Sequence, residues 1–127
     1  MLTLAAGTKV YLATEPVDLR RGHDGLCALV RTHLVLDPFA GHLFVFLGRR
    51  FDRVKILFWD RGGFVLYYKR LARGRFQLPR VGAKADRIVI DATQLAMLLG
   101  GFDPMPARRV EAWEPRPITN VSKTSRR

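Results

Sequence analysis

The sequence predicts an α+β fold: a single domain built on a mainly antiparallel sheet of about five strands, with an N-terminal and a C-terminal helix and then a flexible basic tail. Three observations predict it. Short apolar runs with two-residue alternation are grouped in the middle of the chain, one stretch of helical spacing precedes them, and another follows. Strands grouped between helices point away from an alternating α/β order. The length of 127 residues suits one domain with a real core, and 48% hydrophobic against 26% charged residues is ordinary for a folded protein. Residues 1–103 are read as the domain and 104–127 as the tail, which Pro104, Pro106, Pro115 and Pro117 interrupt.

Val10 to Ala13 reads as a short strand, ended by Pro16. From Asp18 to Leu34 the apolar residues Leu19, Leu26, Val30 and Leu34 recur at helical spacing, with Asp18 or Asp24 available to cap the first free amides. Gly22 and Gly25 leave the start of this helix open. Asp37-Pro38 and Ala40-Gly41 make a turn into Leu43 to Leu47, an uninterrupted apolar run bounded by Gly48 and so a buried strand.

Val54 to Trp59 alternates Val54, Ile56 and Phe58 against Lys55, Leu57 and Trp59, as strand side chains do on opposite faces. The pair Gly62-Gly63 predicts a tight hairpin into Phe64 to Leu71, with Phe64, Leu66 and Tyr68 on one face and Val65, Tyr67 and Lys69 on the other. A further short strand is expected at Gly74 to Leu78, stopped by Pro79, and a last one at Arg87 to Ile90. In this reading the strands follow one another as a meander. Asp91 with Gln94 three residues later forms a capping-box pattern for a helix from Ala92 to Leu99, ended by Gly100-Gly101.

The formal net charge is +11, and its distribution is more informative than its size. Residues 1–40 are neutral, residues 41–80 hold ten basic side chains against Asp52 and Asp60, and the remainder carries a smaller excess. Of the 22 basic residues 17 are arginine, which compositional drift alone would produce, but drift scatters charge along the chain. Here it gathers beside Phe51, Phe58, Trp59, Tyr67, Tyr68 and Phe76, as a polyanion-binding surface does. Arg49, Arg50 and Arg53 lie in one connection between strands, and Lys69, Arg70, Arg73 and Arg75 flank another, with Lys55 on the strand between. In a meander alternate connections share an end of the sheet, so the two clusters are expected to join into one stripe of phosphate contacts. Trp59 and Tyr67 are expected to pair across the hairpin or to offer a stacking face.

Motifs for catalysis are absent from the sequence. There is no phosphate-binding glycine loop, no nucleophile elbow and no dinucleotide fingerprint. His23, His33 and His42 lack metal-helix spacing, and the single Cys27 provides neither a disulfide nor a zinc set, as expected of a reducing, cytoplasmic setting. A metal-dependent nuclease needs converging carboxylates. Asp52, Asp60, Asp86 and Asp91 are the candidates, yet Asp60 falls at the hairpin and Asp91 at a helix cap. No apolar run approaches the length of a membrane span, and the N-terminus lacks the pattern of a secretory signal. The expectation is no catalytic residue, no metal and no cofactor.

Three stretches, PVDLRRGHDGL (16–26), LFVFLGRRFDRVKILFWDRGGFVLYYKRLARGRFQLP (43–79) and the later IDATQLAMLLGG, resemble the TnpB accessory protein of insertion-sequence family 66, the Orf-two-like family, which is distinct from the RNA-guided nuclease sharing that name. The resemblance covers about residues 9–103. It implies a small non-catalytic protein of a bacterial mobile element, encoded beside a separate DDE transposase and assisting DNA transposition. The matching positions are Asp18, Arg20, Asp24 and Gly25, then Arg49, Arg50, Asp52, Arg53, Lys55, Trp59, Asp60, Gly63, Tyr68, Lys69, Arg70, Leu71, Gly74, Arg75 and Phe76. Phe51 departs from the small or polar residue common there, and Arg61-Gly62 stands in place of a Gly-Asp, which removes an acid from the turn. The expected partner is DNA, at a nucleoid-associated location, bound through the Arg/Lys cluster. The alternative is a subunit docking on the transposase, and a metal nuclease ranks third.

Overall fold

The computed structural model describes residues 4–78 and 85–101. The tail predicted for 104–127 lies outside them. The described chain runs β1 (Val10–Ala13), α1 (His23–Thr32), β2 (Leu43–Leu47), β3 (Arg53–Asp60), β4 (Gly63–Arg70), β5 (Arg87–Ile90) and α2 (Ala92–Leu99). The five strands form one sheet in the order β4-β3-β2-β1-β5. Three of its pairings are antiparallel, and β1 with β2 is parallel, joined through α1. This is the α+β domain the sequence predicts.

The alternation of strand side chains divides the core between two faces. Leu43, Val45 and Leu47 of β2 pack with Val10, Leu12, Val54, Ile56 and Ile90 beneath Leu95, Leu98 and Leu99 of α2. Phe44 and Phe46 point the other way and pack with Ala13 and Leu57 beneath Leu26 and Val30 of α1 and the following Leu34. The central β2 is buried along its whole length because each face carries a helix. That explains why its sequence is an unbroken apolar run instead of an alternating one.

Several expectations change. The meander holds only for β2, β3 and β4; β5 lies at the far edge, antiparallel to β1, where Val10 faces Ile90 and Leu12 faces Ile88. Placing β5 there carries the chain, one residue later, into α2 over the open apolar face. No strand forms at 74–78: the segment instead folds back, and the N–H of Phe76 donates to the carbonyl of Phe51. The hairpin turn is Arg61-Gly62, with φ of 45° and 87°, so Gly63 opens β4 instead of closing the turn. Two successive positive φ values match the twist of a two-residue hairpin. The resulting register sets Trp59 opposite Phe64 and Ile56 opposite Tyr67. Trp59 and Tyr67 therefore point to opposite faces and do not pair.

The first helix begins at His23, five residues later than predicted. Asp18 accepts hydrogen bonds from the N–H of Arg20 at 3.0 Å and, through its carbonyl, of Arg21 at 3.3 Å, which ties the chain into a turn that competes with helix. Gly22 caps the helix in extended conformation without a side-chain bond, so neither Asp18 nor Asp24 is the cap. Asp24 sits in the first turn, where the helix dipole favours an acid. At the other end Val35 takes φ 56° and the N–H of Leu36 closes on the carbonyl of Val30. A β-branched residue is strained in that conformation, and Val35 is 75% exposed, so little packing repays it. Val35→Gly is expected to raise stability by about 1 kcal/mol, measured by urea unfolding. The predicted Asp91/Gln94 capping box of α2 is formed in full.

Candidate nucleic-acid interface

The loop from β2 to β3 is a tight turn. The N–H of Phe51 donates to the carbonyl of Gly48 at 2.9 Å, which leaves Arg49 and Arg50 as its two exposed central residues. Phe51 has φ 59° and turns its side chain inward against the α2-side core. That accounts for an aromatic residue in an otherwise basic loop. The chain leaving β4 is stitched to this loop. Leu71 N–H donates to the carbonyl of Asp52 at 2.8 Å and Phe76 N–H to that of Phe51. Between those bonds Arg73 and Arg75 are exposed, around Gly74 at φ 86°. The two basic stretches, separated by the whole hairpin in sequence, thus meet at one end of the sheet.

A third segment joins them. Val17 bridges Gly48, with its N–H on the carbonyl of Leu47 at 2.9 Å, so Asp18 to Arg21 runs beside Arg49. Arg20 grips Asp18 through Nε and Nη2, the latter at 2.6 Å. The Arg20 guanidinium and backbone N–H, with Arg49 nearby, hold the Asp18 carboxyl well below the usual carboxylate range. Asp18 thereby offsets charge locally and fixes the segment, while Arg21 stays exposed. Gly25 sits close to this segment: a Cβ on it would lie 3.0 Å from Cβ of Arg21, so a larger residue would require Arg21 to shift by a few tenths of an ångström.

The predicted cluster divides between the two faces of the sheet. Arg53 lies opposite Arg70 and Lys55 opposite Tyr68, and all four project on the α1 side. Lys55 Nζ donates to the carbonyl of Arg21 at 2.9 Å and lies 5.4 Å from the Tyr68 ring centroid. Arg53 Nε approaches Asp52 at 3.8 Å and makes no hydrogen bond. Lys69 goes to the other side, where Nζ donates to the carbonyl of Leu99 at 2.7 Å. This neutralises the negative end of α2, a structural employment that the sequence did not suggest. Trp59 packs edge-on with Phe64 and Phe39 at centroid distances of 5.0 Å, at the hairpin end of the sheet. Asp60 is exposed there, opposite Gly63.

Sequence reasoning placed Tyr68 among the aromatic residues of the basic centre but missed its contact with Lys55, and it missed that Arg20 and Arg21 border the cluster. Counting back from an Arg61-Gly62 turn would have paired Tyr68 with Lys55; the contact of Arg21 with Lys55 has no local signal. Among the described residues no three His, Cys, Asp or Glu side chains gather where they could hold a metal ion. Burial pushes the Cys27 thiol above its ordinary value, which keeps it protonated and poorly nucleophilic. No helix among the described residues is long and apolar enough to cross a membrane.

These features define a class: a small α+β domain with helices on both faces of its sheet and a cationic end assembled from three separate segments. The chain belongs to the IS66 Orf2-like family, whose profile matches residues 8–109. It is an insertion-sequence-associated protein, of a family not known to be catalytic. Two relatives from Sinorhizobium fredii, the uncharacterized proteins y4jC and y4hO, are 35% and 37% identical over 118 residues, which is 93% of this chain and 99% of each relative. No solved structure matches the chain.

Proposed function

We propose that this protein is a non-catalytic accessory factor of its insertion sequence that assists transposition by binding DNA through the cationic end of the sheet. The observation that carries the reading is the stitching of two distant basic stretches, 49–53 and 70–75, by the Leu71–Asp52 and Phe76–Phe51 backbone bonds. Such convergence puts Arg49, Arg50, Arg70, Arg73 and Arg75 within reach of successive phosphates on one polyanion. Among the described residues the side chains of these five arginines make no hydrogen bond or ion pair, so binding a phosphate would break no internal side-chain bond. Counterion release makes such binding steeply salt-dependent. A gel-shift assay with the full chain is expected to show complexes at about 50 mM salt that weaken by a hundredfold or more at about 200 mM. No complex at either concentration would overturn the reading.

A second reading has one observation of its own. The outermost strand β4 is eight residues long, with Val65 and Tyr68 exposed, and has β3 as its single neighbour among the described residues. An open edge of this length can accept a strand from a partner such as the transposase. Co-purification with the transposase in the absence of any DNA binding would favour it.

A further inference from the structure

Arg53, Lys55, Tyr68 and Arg70 form a two-by-two grid on the α1 side of β3 and β4. Helix α1 does not cover it. Further along the same face, α1 packs near Leu57 and Leu66, whereas Tyr68 remains 50% exposed. Two arginines directly opposite one another on a sheet repel. Inside the fold the repulsion is offset only in part: Asp52 approaches Arg53 Nε at 3.8 Å without a hydrogen bond, and Arg70 is exposed. Such a pair is satisfied by an anion placed between the two guanidiniums. The ring next to it is held by Lys55, itself anchored on the carbonyl of Arg21. Tyr68 and Arg70 are two residues apart on one strand, about 7 Å along it. A base lying on Tyr68 would thus leave an adjoining phosphate over the arginine pair.

The shape of the surface separates single strands from duplex. Reading a major groove requires a protruding helix or ribbon with basic side chains. Helix α2 carries no charged residue, and the exposed side of α1 offers Arg31 together with Asp24. What the protein presents instead is an open patch of sheet with one accessible ring and flanking cations, the combination on which unpaired bases stack. We infer that the Arg53–Lys55–Tyr68–Arg70 face binds single-stranded DNA, with Tyr68 as a base-stacking platform and the arginine pair as its phosphate site. This rests on the DNA-binding reading above and assigns it a strand form and a face.

The test uses the full chain with a labelled oligothymidine and a duplex of equal length, at about 50 and 200 mM salt. The oligothymidine is expected to bind more tightly than the duplex. Tyr68→Ala is expected to weaken the single strand about tenfold or more, leaving duplex affinity and the salt slope unchanged. Tyr68→Phe keeps the ring and retains binding. Tyr68→Leu, apolar but without a π-face, should behave as alanine does and serves as the reference if Tyr68→Ala melts at a lower temperature. Duplex bound as well as or better than the single strand, or single-strand binding indifferent to Tyr68→Leu, would overturn the inference while leaving DNA binding intact. Binding of neither probe at the lower salt would remove both.

Discussion

Replacing Phe76 by alanine is expected to lower the unfolding free energy by about 3–5 kcal/mol and the melting temperature by about 10–20 °C. Phe76 is 2% exposed although it belongs to no strand or helix. It fills the α2-side core together with Leu47, Val54 and Leu98. A buried phenylalanine loses both its transfer free energy and the contacts around the cavity left behind. Against a typical total of about 5–15 kcal/mol, the loss is a large part of the domain's stability. It also has a local consequence. The Phe76 N–H bond to Phe51 is one of the two that hold the basic bend to the basic turn, and without the ring that segment has no apolar anchor of comparable size. Arg73 and Arg75 should therefore become protease-sensitive before the rest of the fold. Thermal unfolding with limited proteolysis checks both outcomes. Phe76→Leu, which keeps most of the apolar area, should cost less than half as much.

The triple substitution of Arg49, Arg50 and Arg70 by alanine is expected to lower DNA affinity on the order of 100- to 500-fold near 0.1 M salt and to reduce the salt slope by about 2–3. All three are exposed, and their side chains make no hydrogen bond or ion pair among the described residues. Surface changes of this kind usually alter stability by no more than about 0.5 kcal/mol each. Removing like charges from one end of the sheet reduces their mutual repulsion, which acts in the stabilising direction. Affinity should collapse while the melting temperature holds or rises, a combination that a folding defect cannot produce. Titration across a salt series, with a melt of the same preparation, reads both. Unchanged affinity would move the binding surface away from this end of the molecule. Lys69 is the instructive contrast, because its ammonium is bonded to the last turn of α2 and its removal acts first on stability.

How much of this was legible beforehand can be followed strand by strand. Leu43–Leu47 and Arg87–Ile90 were readable to the residue, as was the capping box of α2, since each depends on local composition and spacing. The hairpin was legible but displaced by one residue, because two glycines follow Arg61 and composition alone favours them as the turn. Arginine at φ 45° is the less economical local choice. That displacement hid the opposition of Arg53 and Arg70, whereas the expected Trp59–Tyr67 pair fails in either register, because the two side chains fall on opposite faces. The start of α1 was misread for a similar reason: helical spacing cannot show that Asp18 will bond the backbone beyond it.

Local sequence sets the composition of the molecule: the five strands and two helices, though not the absence of a strand at 74–78 or the start of α1, the residues apolar enough to be buried, and the excess charge within residues 41–80. Those properties are set within a few residues along the chain, through periodicity, turn chemistry and side-chain polarity. Only the tertiary structure decided that β5 crosses to the far edge, that Lys69 serves α2 while Arg53 and Arg70 confront each other across two strands, and that Asp18 to Arg21 borders the same cluster. Each of these depends on pairings between residues far apart in sequence. Hydrogen-bond register and the need to cover both apolar faces of one sheet select such pairings, and neither is encoded in any local stretch.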